Sequence, residues 1–538
     1  MVISTALLAL SGCTTEQAGA TSTKATEAAI PAQQASSKQA SAPNILFIMS
    51  DDHAERAISA YGHDLIQTPN IDRIAAGGML FENAFVTNSI CGPSRAVMLT
   101  GKHSHLNGFK NNYNTFDNTQ VTFPKILRKA GYQTAVIGKW HLKSAPTGFD
   151  TWAVLPGQGD YYSPTFKTAN GNVTYKGQYV TDQITNMALD FLQQRDKSKP
   201  FALLYHHKAP HRNWMPDTKH LANKSLRKKF PVPANFFDDY HTRLNAAVQD
   251  MQISDMTLSH DMKLQKGTFE KETGTGGFGD AKNFDKERFV DLWIKELGRM
   301  TPEQRAIWDE YYQDISDEYH AVKDDAKALA LWQYQRYMHD YMGSIKSLDE
   351  NIGRVLDYLQ AQGLSDNTIV VYTSDQGFYL GEHGWYDKRF MYEESMSTPL
   401  IIKYPNGVKA GVVNTSLVQN LDFAQTFLDY AGLVAPSDMQ GKSLKPLLEG
   451  NTPDDWRDGL YYEYFQYPGT HNVGLHYGVR TDRYKLIHFT GDLESWELFD
   501  LEKDPSEMTN VYANVQYKDI QADLHKRLED LRLQYKAN

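Results

Sequence analysis

Four uninterrupted apolar runs, each ending abruptly in polar or charged residues, constrain this chain more than any other feature. Asn44 to Met49 stops at Ser50-Asp51-Asp52, and Thr134 to Ile137 stops at Gly138-Lys139-Trp140-His141. Phe201 to Tyr205 stops at His206-His207-Lys208-Ala209-Pro210-His211, and Thr368 to Tyr372 stops at Thr373-Ser374-Asp375-Gln376. Apolar runs without alternation suit strands covered on both faces, and intervening helical stretches imply crossover connections in a mostly parallel sheet. In such sheets the functional crevice lies beyond the carboxyl ends of the strands. The pattern therefore predicts an α/β fold, a large mixed, mostly parallel sheet sandwiched by helices, with all four polar termini delivered to one rim.

The rest of the chain is arranged around that sheet. An apolar leader at 1–13 is too short to span a bilayer and reads as an export signal, although no Lys or Arg precedes it. Residues 14–43, rich in Ala, Thr, Ser and Gln, read as a flexible tether, and 44–411 as the main α/β domain. Residues 212–331 are long, polar and expected to form a largely helical insertion, with Thr301-Pro302-Glu303 as a helix start. Met342, Ile345, Leu348, Ile352, Val355 and Leu359 then recur at helical spacing and predict a helix packed on the sheet. From 412 to 538 short β-rich stretches and a charged helix predict a smaller C-terminal antiparallel sheet subdomain.

Asp51, Asp52, Asp375 and the amide oxygen of Gln376 form an all-oxygen set at the rim, suited to a hard divalent cation such as Ca²⁺ or Mg²⁺. Cys91 is one of two cysteines in 538 residues. It opens Cys91-Gly92-Pro93-Ser94-Arg95-Ala96-Val97-Met98-Leu99-Thr100-Gly101, where Pro93 fits a first helical turn and Gly101 a helix end. The sulfur then lies at a helix N-terminus, where negative charge is stabilised. With 65 acidic against 55 basic residues and a net charge of −10, the chain has no basic excess to neutralise nucleic-acid phosphates. An anionic substrate needs a local cationic pocket.

Cys-x-Pro-Ser-Arg followed by Leu-Thr-Gly resembles the activation signature of type I sulfatases, and Glu497 to Pro505 resembles their C-terminal subdomains. Leu10-Ser11-Gly12-Cys13 resembles a bacterial lipobox. The first resemblance implies an alkaline-phosphatase-like superfold, conversion of Cys91 to formylglycine by a maturation enzyme, and one Ca²⁺ bound by Asp51, Asp52, Asp375, Gln376 and the converted Cys91. It further implies that Arg95, Lys139 and Lys388 bind sulfate oxygens, that His141 assists release of sulfate, and that His211 protonates the departing sugar oxygen. A hydrated aldehyde would attack sulfur and then expel sulfate by re-forming the carbonyl, which a serine would not do. The second resemblance implies lipidation at Cys13 and a membrane-anchored, exported protein. The implied substrate is a sulfated polysaccharide or oligosaccharide, either an algal ulvan-type glycan or a glycosaminoglycan. Trp152, Tyr161 and Tyr162 are candidates for a sugar-stacking wall, with core packing the equal alternative. Tyr379, Trp385, His471, His476 and Arg480 are further candidate contacts, and His206, His207 and His383 candidate supports. Two alternatives stay open at this point: a phosphomonoester or phosphodiester hydrolase of the same superfold, and a non-catalytic lipoprotein that binds sulfated glycan.

Overall fold

The computed structural model describes residues 42–222, 227–265, 267–278 and 285–537. The leader, Cys13 and nearly all of the tether lie outside these residues. The apolar runs are strands. Asn44–Ser50 lies in the middle of the sheet, parallel to Phe201–His206 on one side and to Thr368–Ser374 on the other, and Gln133–Lys139 pairs in parallel with Phe201–His206. Ser50 faces Ser374 and Gly138 faces His206, so Asp51, Asp375, Lys139 and His207 leave the sheet at one level. Gly138 has φ +110°, and a side chain there would collide with the carbonyl oxygen of His206; only glycine lets the Lys139 strand end approach so closely.

Among the described residues the sheet has ten strands. Leu400–Lys403 runs antiparallel beside Thr368–Ser374 and is followed by Met79–Phe81 and Val412–Asn414; Thr151–Leu155 and the hairpin Thr165–Thr168 and Gly171–Thr174 form the other edge. Leu46, Ile48, Leu203, Tyr205, Val370 and Tyr372 pack on one face against Ile345, Leu348, Ile352 and Val355. Ile45, Phe47, Ala202, Leu204, Ile369 and Val371 pack on the other against Phe123, Leu127, Phe423 and Phe427. Alternation is missing from the sequence because both faces are covered.

The expected sheet-packing helix spans Ala326–Ala361, 36 residues, with the Asp325 carboxylate accepting the N–H groups of Lys327 and Ala328 at its start. Tyr341, near its middle, donates its hydroxyl to the Asp52 carbonyl (2.7 Å) and accepts the Ala54 N–H (2.8 Å). Farther along, Asp349 accepts the N–H groups of Asn70 (3.0 Å) and Ile71 (2.9 Å), capping the Pro69–Ala76 helix. This helix therefore touches both the rim and a flanking layer of the sheet.

The insertion is helical only in its second half, in Arg288–Leu297 and Pro302–Val322, the latter closed by a reciprocal Thr301 and Gln304 capping box. Its first half has only short helical turns, yet Trp214, Met251, Met256 and Met262 are buried. Carboxylates do there what a helix ladder does elsewhere. Asp261 accepts the Thr257 N–H (2.8 Å), and Glu272 accepts those of Leu258 (2.7 Å), Ser259 (3.0 Å) and Gly274 (3.1 Å).

At the C-terminal end, the stretch after 412 first completes the large sheet: Val412–Asn414 pairs in parallel with Met79–Phe81. The smaller antiparallel sheet begins at Gly459–Tyr464 and continues through Leu475–Thr481, Tyr484–Thr490 and Ser495–Asp500. The Lys518–Tyr535 helix covers one face through Leu524 and Leu528, while Tyr462, Tyr464, Ile487 and Phe489 pack toward Trp385, Phe390 and Tyr392.

Candidate active site

Cys91–Thr100 forms a ten-residue helix in which every residue is buried, and Gly101 ends it in the left-handed conformation. Cys91 Sγ lies 4.0 Å from Asp52 Oδ1. Burying Arg95 on this helix is costly unless it is fully paired. Its Nε and Nη2 both lie 2.9 Å from Asp375 Oδ2, Nη1 donates to the Lys139 carbonyl (3.0 Å), and Nη2 is 3.6 Å from Asp51 Oδ1. Ser94 donates its hydroxyl to the Asp375 carbonyl. The helix is thereby tied to two strand ends.

Lys139 Nζ contacts Asp51 Oδ2 and the Gln158 side-chain oxygen, and Lys388 Nζ donates to both Asp52 oxygens (2.6 and 2.8 Å). Asp52 sits at φ 64°, and its N–H donates to Asp375 Oδ1 (3.1 Å). The Gln376 side-chain N–H also reaches Asp52 Oδ1. Three carboxylates and three cations thus share one water-poor crevice. Burial, with the Asp375 charge nearby, pushes Asp51 up to about 8. Asp375 is held well below the usual carboxylate range despite its burial, chiefly by Arg95. Burial also pushes the Cys91 thiol up, so the unconverted thiol is a poor thiolate source.

The donor set fits a hard cation. Asp51 Oδ1 and Gln376 Oε1 are buried with no hydrogen-bond partner among the described residues. Possible ligand atoms of Asp51, Asp52, Cys91 and His211 lie within 4.8 Å of one another, so His211 stands at the edge of the cation site. His211 Nε2 is 3.6 Å from Asp52 Oδ2, while its Nδ1 lies 2.7 Å from the Arg212 carbonyl. That second contact fixes the proton on Nδ1 and leaves Nε2 facing the crevice. Burial first, then Lys139 and Lys388, keeps His211 neutral; burial with Lys139 and Arg95 does the same for His141, whose Nδ1 has no hydrogen-bond partner among the described residues.

Arg212 is itself clamped by the insertion. Its Nε and Nη2 bind the two Asp261 oxygens (2.7 and 2.5 Å) and Nη1 donates to the Gly276 carbonyl (2.9 Å). Lys263 Nζ donates to the Asp261 carbonyl (2.9 Å) and pairs with Asp340 at 3.0 Å. Tyr161 donates to the His211 carbonyl (2.7 Å).

A family model described as Sulfatase matches residues 43–433, and a second, described as N-sulphoglucosamine sulphohydrolase, C-terminal, matches 381–534. The chain belongs to the sulfatase family. It is accordingly a hydrolase of sulfuric esters, which decides against the phosphohydrolase and glycan-binding alternatives. The sulfatase is 51% identical over 504 residues to an N-acetylglucosamine-6-O-sulfatase of Bacteroides thetaiotaomicron, covering 92% of this chain and 87% of that protein. It is similar, with TM-score 0.85 and 50% identity over 92% of this chain and 98% of the other, to a solved structure in complex with its substrate D-glucosamine-2-N,6-O-disulfate. An ulvan-active sulfatase of Formosa agariphila is more distant, at 24% identity over 92% of this chain and 83% of that protein.

The main expected residues of the sulfatase, Asp51, Asp52, Cys91, Arg95, Lys139, His141, His211, Asp375, Gln376 and Lys388, come together in this crevice. Several weaker expectations are corrected. Tyr161 and Tyr162 are fully buried and cannot form a sugar wall; their hydroxyls are satisfied inside by the carbonyls of His211 and Pro216. Tyr379 and Trp385 are fully buried in the seam under the small sheet. His476 accepts the Met391 N–H (3.1 Å), Arg480 pairs with Glu393 (3.0 Å), and His383 pairs with Asp238 (2.7 Å). His471 is buried against Asp387 (3.0 Å), beside Lys388 rather than in reach of a sugar. His206 supports the Lys139 strand end, its Nδ1 3.3 Å from the Lys139 carbonyl, and burial keeps His207 neutral, at about 3. Trp152 remains half-buried on its strand.

Gln158 and Asn112 were not singled out from sequence. Gln158 touches Lys139, and Asn112 accepts the Gly92 N–H (3.2 Å) next to Cys91. The Gly157-Gln158-Gly159 turn at a strand end was the available signal for the first.

Proposed function

We propose that this sulfatase removes the 6-O-sulfate from a glucosamine residue of a glycosaminoglycan fragment, with Cys91 in its formylglycine form and one Ca²⁺ held by Asp51, Asp52, Asp375 and Gln376. The 51% identity to an N-acetylglucosamine-6-O-sulfatase across nearly the whole chain carries this reading. When present, the converted residue supplies a hydrated aldehyde as nucleophile and the ion supplies positive charge against the sulfuryl oxygens. The chain's own residues do the rest. Arg95, Lys139 and Lys388 bind and orient the sulfate oxygens, their positions already set by ion pairs with Asp375, Asp51 and Asp52. Burial holds His211 toward its neutral form, and an arriving sulfate monoester favours its imidazolium form through Nε2, from which a proton passes to the departing sugar oxygen. His141 is placed to accept the proton that the remaining hydroxyl of the converted residue would give up as its carbonyl re-forms and sulfate leaves.

Export and a lipid anchor at Cys13 belong to the same proposal and rest on the leader sequence; no helix among the described residues is long and apolar enough to cross a membrane. A maturation enzyme for Cys91 is the implied partner. Sulfate release should be measured from 6-O-sulfated N-acetylglucosamine, other sulfated glucosamines, galactosamines and ulvan fragments, with peptide mass spectrometry over Cys91 on the same protein. Release confined to 6-O-sulfated glucosamine is expected. Release from ulvan alone, or an active enzyme retaining an unmodified Cys91 thiol, overturns it.

A further inference from the structure

We propose that the cavity beside His141 is a subsite for a second anionic group of the substrate, an N-sulfate on the same sugar or a carboxylate on its neighbour. This rests on the glucosamine reading and names what distinguishes one glucosamine from another. The cavity holds about 310 Å³ and is walled by His141, Lys143, Trp152, Pro156, Gly157 and Lys167. It shares His141 with the catalytic crevice, and Gly157 directly precedes Gln158, whose side-chain oxygen contacts Lys139. The wall that holds a sulfate-binding lysine thus continues into this cavity.

Its charge differs from that of the crevice. Lys139 and Lys388 are paired with Asp51 and Asp52, whereas no carboxylate lines the cavity. Among the described residues Lys143 and Lys167 have no acidic partner; Lys143 Nζ donates only to the neutral Tyr113 carbonyl (2.9 Å). Lys167 faces Val154 across the antiparallel pair, and Trp152 is two residues from Val154 on the same strand. Side chains at opposed positions and at i and i+2 share a face of the sheet, so Lys167, Val154 and Trp152 line one wall. An exposed lysine ordinarily marks only a solvated surface. Two uncompensated lysines around a concave space beside a catalytic histidine, in a chain of net charge −10, make a local attraction for anions that the molecule as a whole does not offer. The half-buried indole supplies an apolar face for a sugar ring.

The test uses the mature full-length protein and its Lys143→Ala, Lys167→Ala and double variants, with Lys167→Gln as a milder form and thermal melting to check folding. Three substrates carry the same 6-O-sulfate: N-acetylglucosamine, glucosamine-2-N-sulfate, and a disaccharide in which N-acetylglucosamine is linked to a uronic acid. The double variant is expected to lose about tenfold in kcat/KM on one anionic substrate relative to the N-acetyl sugar, through KM, and added salt should erode the same preference in the wild-type protein. The substrate showing the loss identifies the group bound. Ratios within twofold of wild type on both anionic substrates overturn the subsite. Calorimetric binding of glucosamine-2-N-sulfate and of the uronic-acid disaccharide without its ester sulfate, each against N-acetylglucosamine, provides a readout without turnover. If the protein releases no sulfate from any glucosamine, the proposed function fails; a binding preference abolished in the double variant would still support the subsite, and no preference would overturn it.

Discussion

The two sides of the crevice are built differently. On one side Asp51, Lys139 and Asp375 extend directly from neighbouring parallel strands, and the ladder that pairs those strands sets their spacing. On the other, His211 lies past its strand in an irregular stretch and is held by the Arg212 clamp to Asp261 and by the Tyr161 hydroxyl. Backbone hydrogen bonds hold the first side whatever the surrounding side chains; a chain of buried ion pairs holds the second. The sulfate binding proposed for the first side and the proton transfer proposed for the second therefore rest on supports of unequal robustness.

The strongest break is at the strand-end side. Cys91→Ala should lower sulfate release by at least about a thousandfold while substrate still protects against thermal unfolding, since the cationic pocket remains. Asp261→Asn attacks the other side at a distance. Activity should fall by about tenfold to a hundredfold, mainly in kcat, with a shifted limb in the pH profile of kcat; a merely structural loss would leave that profile in place. A third expectation concerns acid. Arg336 donates to His339 Nδ1 (2.9 Å), so the ring is neutral and its Nε2 donates to the Lys228 carbonyl (2.6 Å). Burial, with Arg336 nearby, holds His339 at about 4. A histidine whose folded pKa is lowered contributes stability above its unfolded value, near 6.5, and loses it as pH falls toward 4. About 2–3 kcal/mol should disappear over that window, and His339→Gln should flatten the dependence, read by hydrogen exchange in the insertion. Smallest is Tyr161→Phe, which removes one hydrogen bond to the His211 carbonyl, worth about 1 kcal/mol. A few-fold drop in kcat, smaller than that of Asp261→Asn, would rank the two supports of His211; a larger drop would reverse the ranking.

The sequence made the first side legible because each apolar strand run ends where its polar residues begin, and because Cys91 sits in a helix with recognisable start and stop residues. Gln376 and Arg95 lie within those features; Lys388, 13 residues past Asp375, is reached only through the family resemblance. The second side was readable only as far as His211. Nothing near Arg212 indicates that its partner is Asp261, 49 residues away, since an ion pair leaves no periodicity. The sequence leaves Tyr161 and Tyr162 undecided between a sugar wall and core packing for a related reason: an amphipathic ring suits a sugar, but its hydroxyl is equally satisfied by a main-chain carbonyl deep in the core, as it is here. The C-terminal boundary shifted because Val412–Asn414 is as short and extended as the strands of the small sheet, and only its partner shows which sheet it joins.

The 36-residue helix from Ala326 to Ala361 acts as a keel. Through Asp340 it grips Lys263 of the insertion, through Tyr341 it grips the main chain around Asp52, and through Asp349 it grips the next layer. A rod of some 54 Å at 1.5 Å per residue cannot yield at one of these points without moving the others. Outer turns of the insertion that do not touch this rod can therefore vary without disturbing it, while the spacing between the Asp261 clamp and the main chain at Asp52 stays calibrated by a single rigid element.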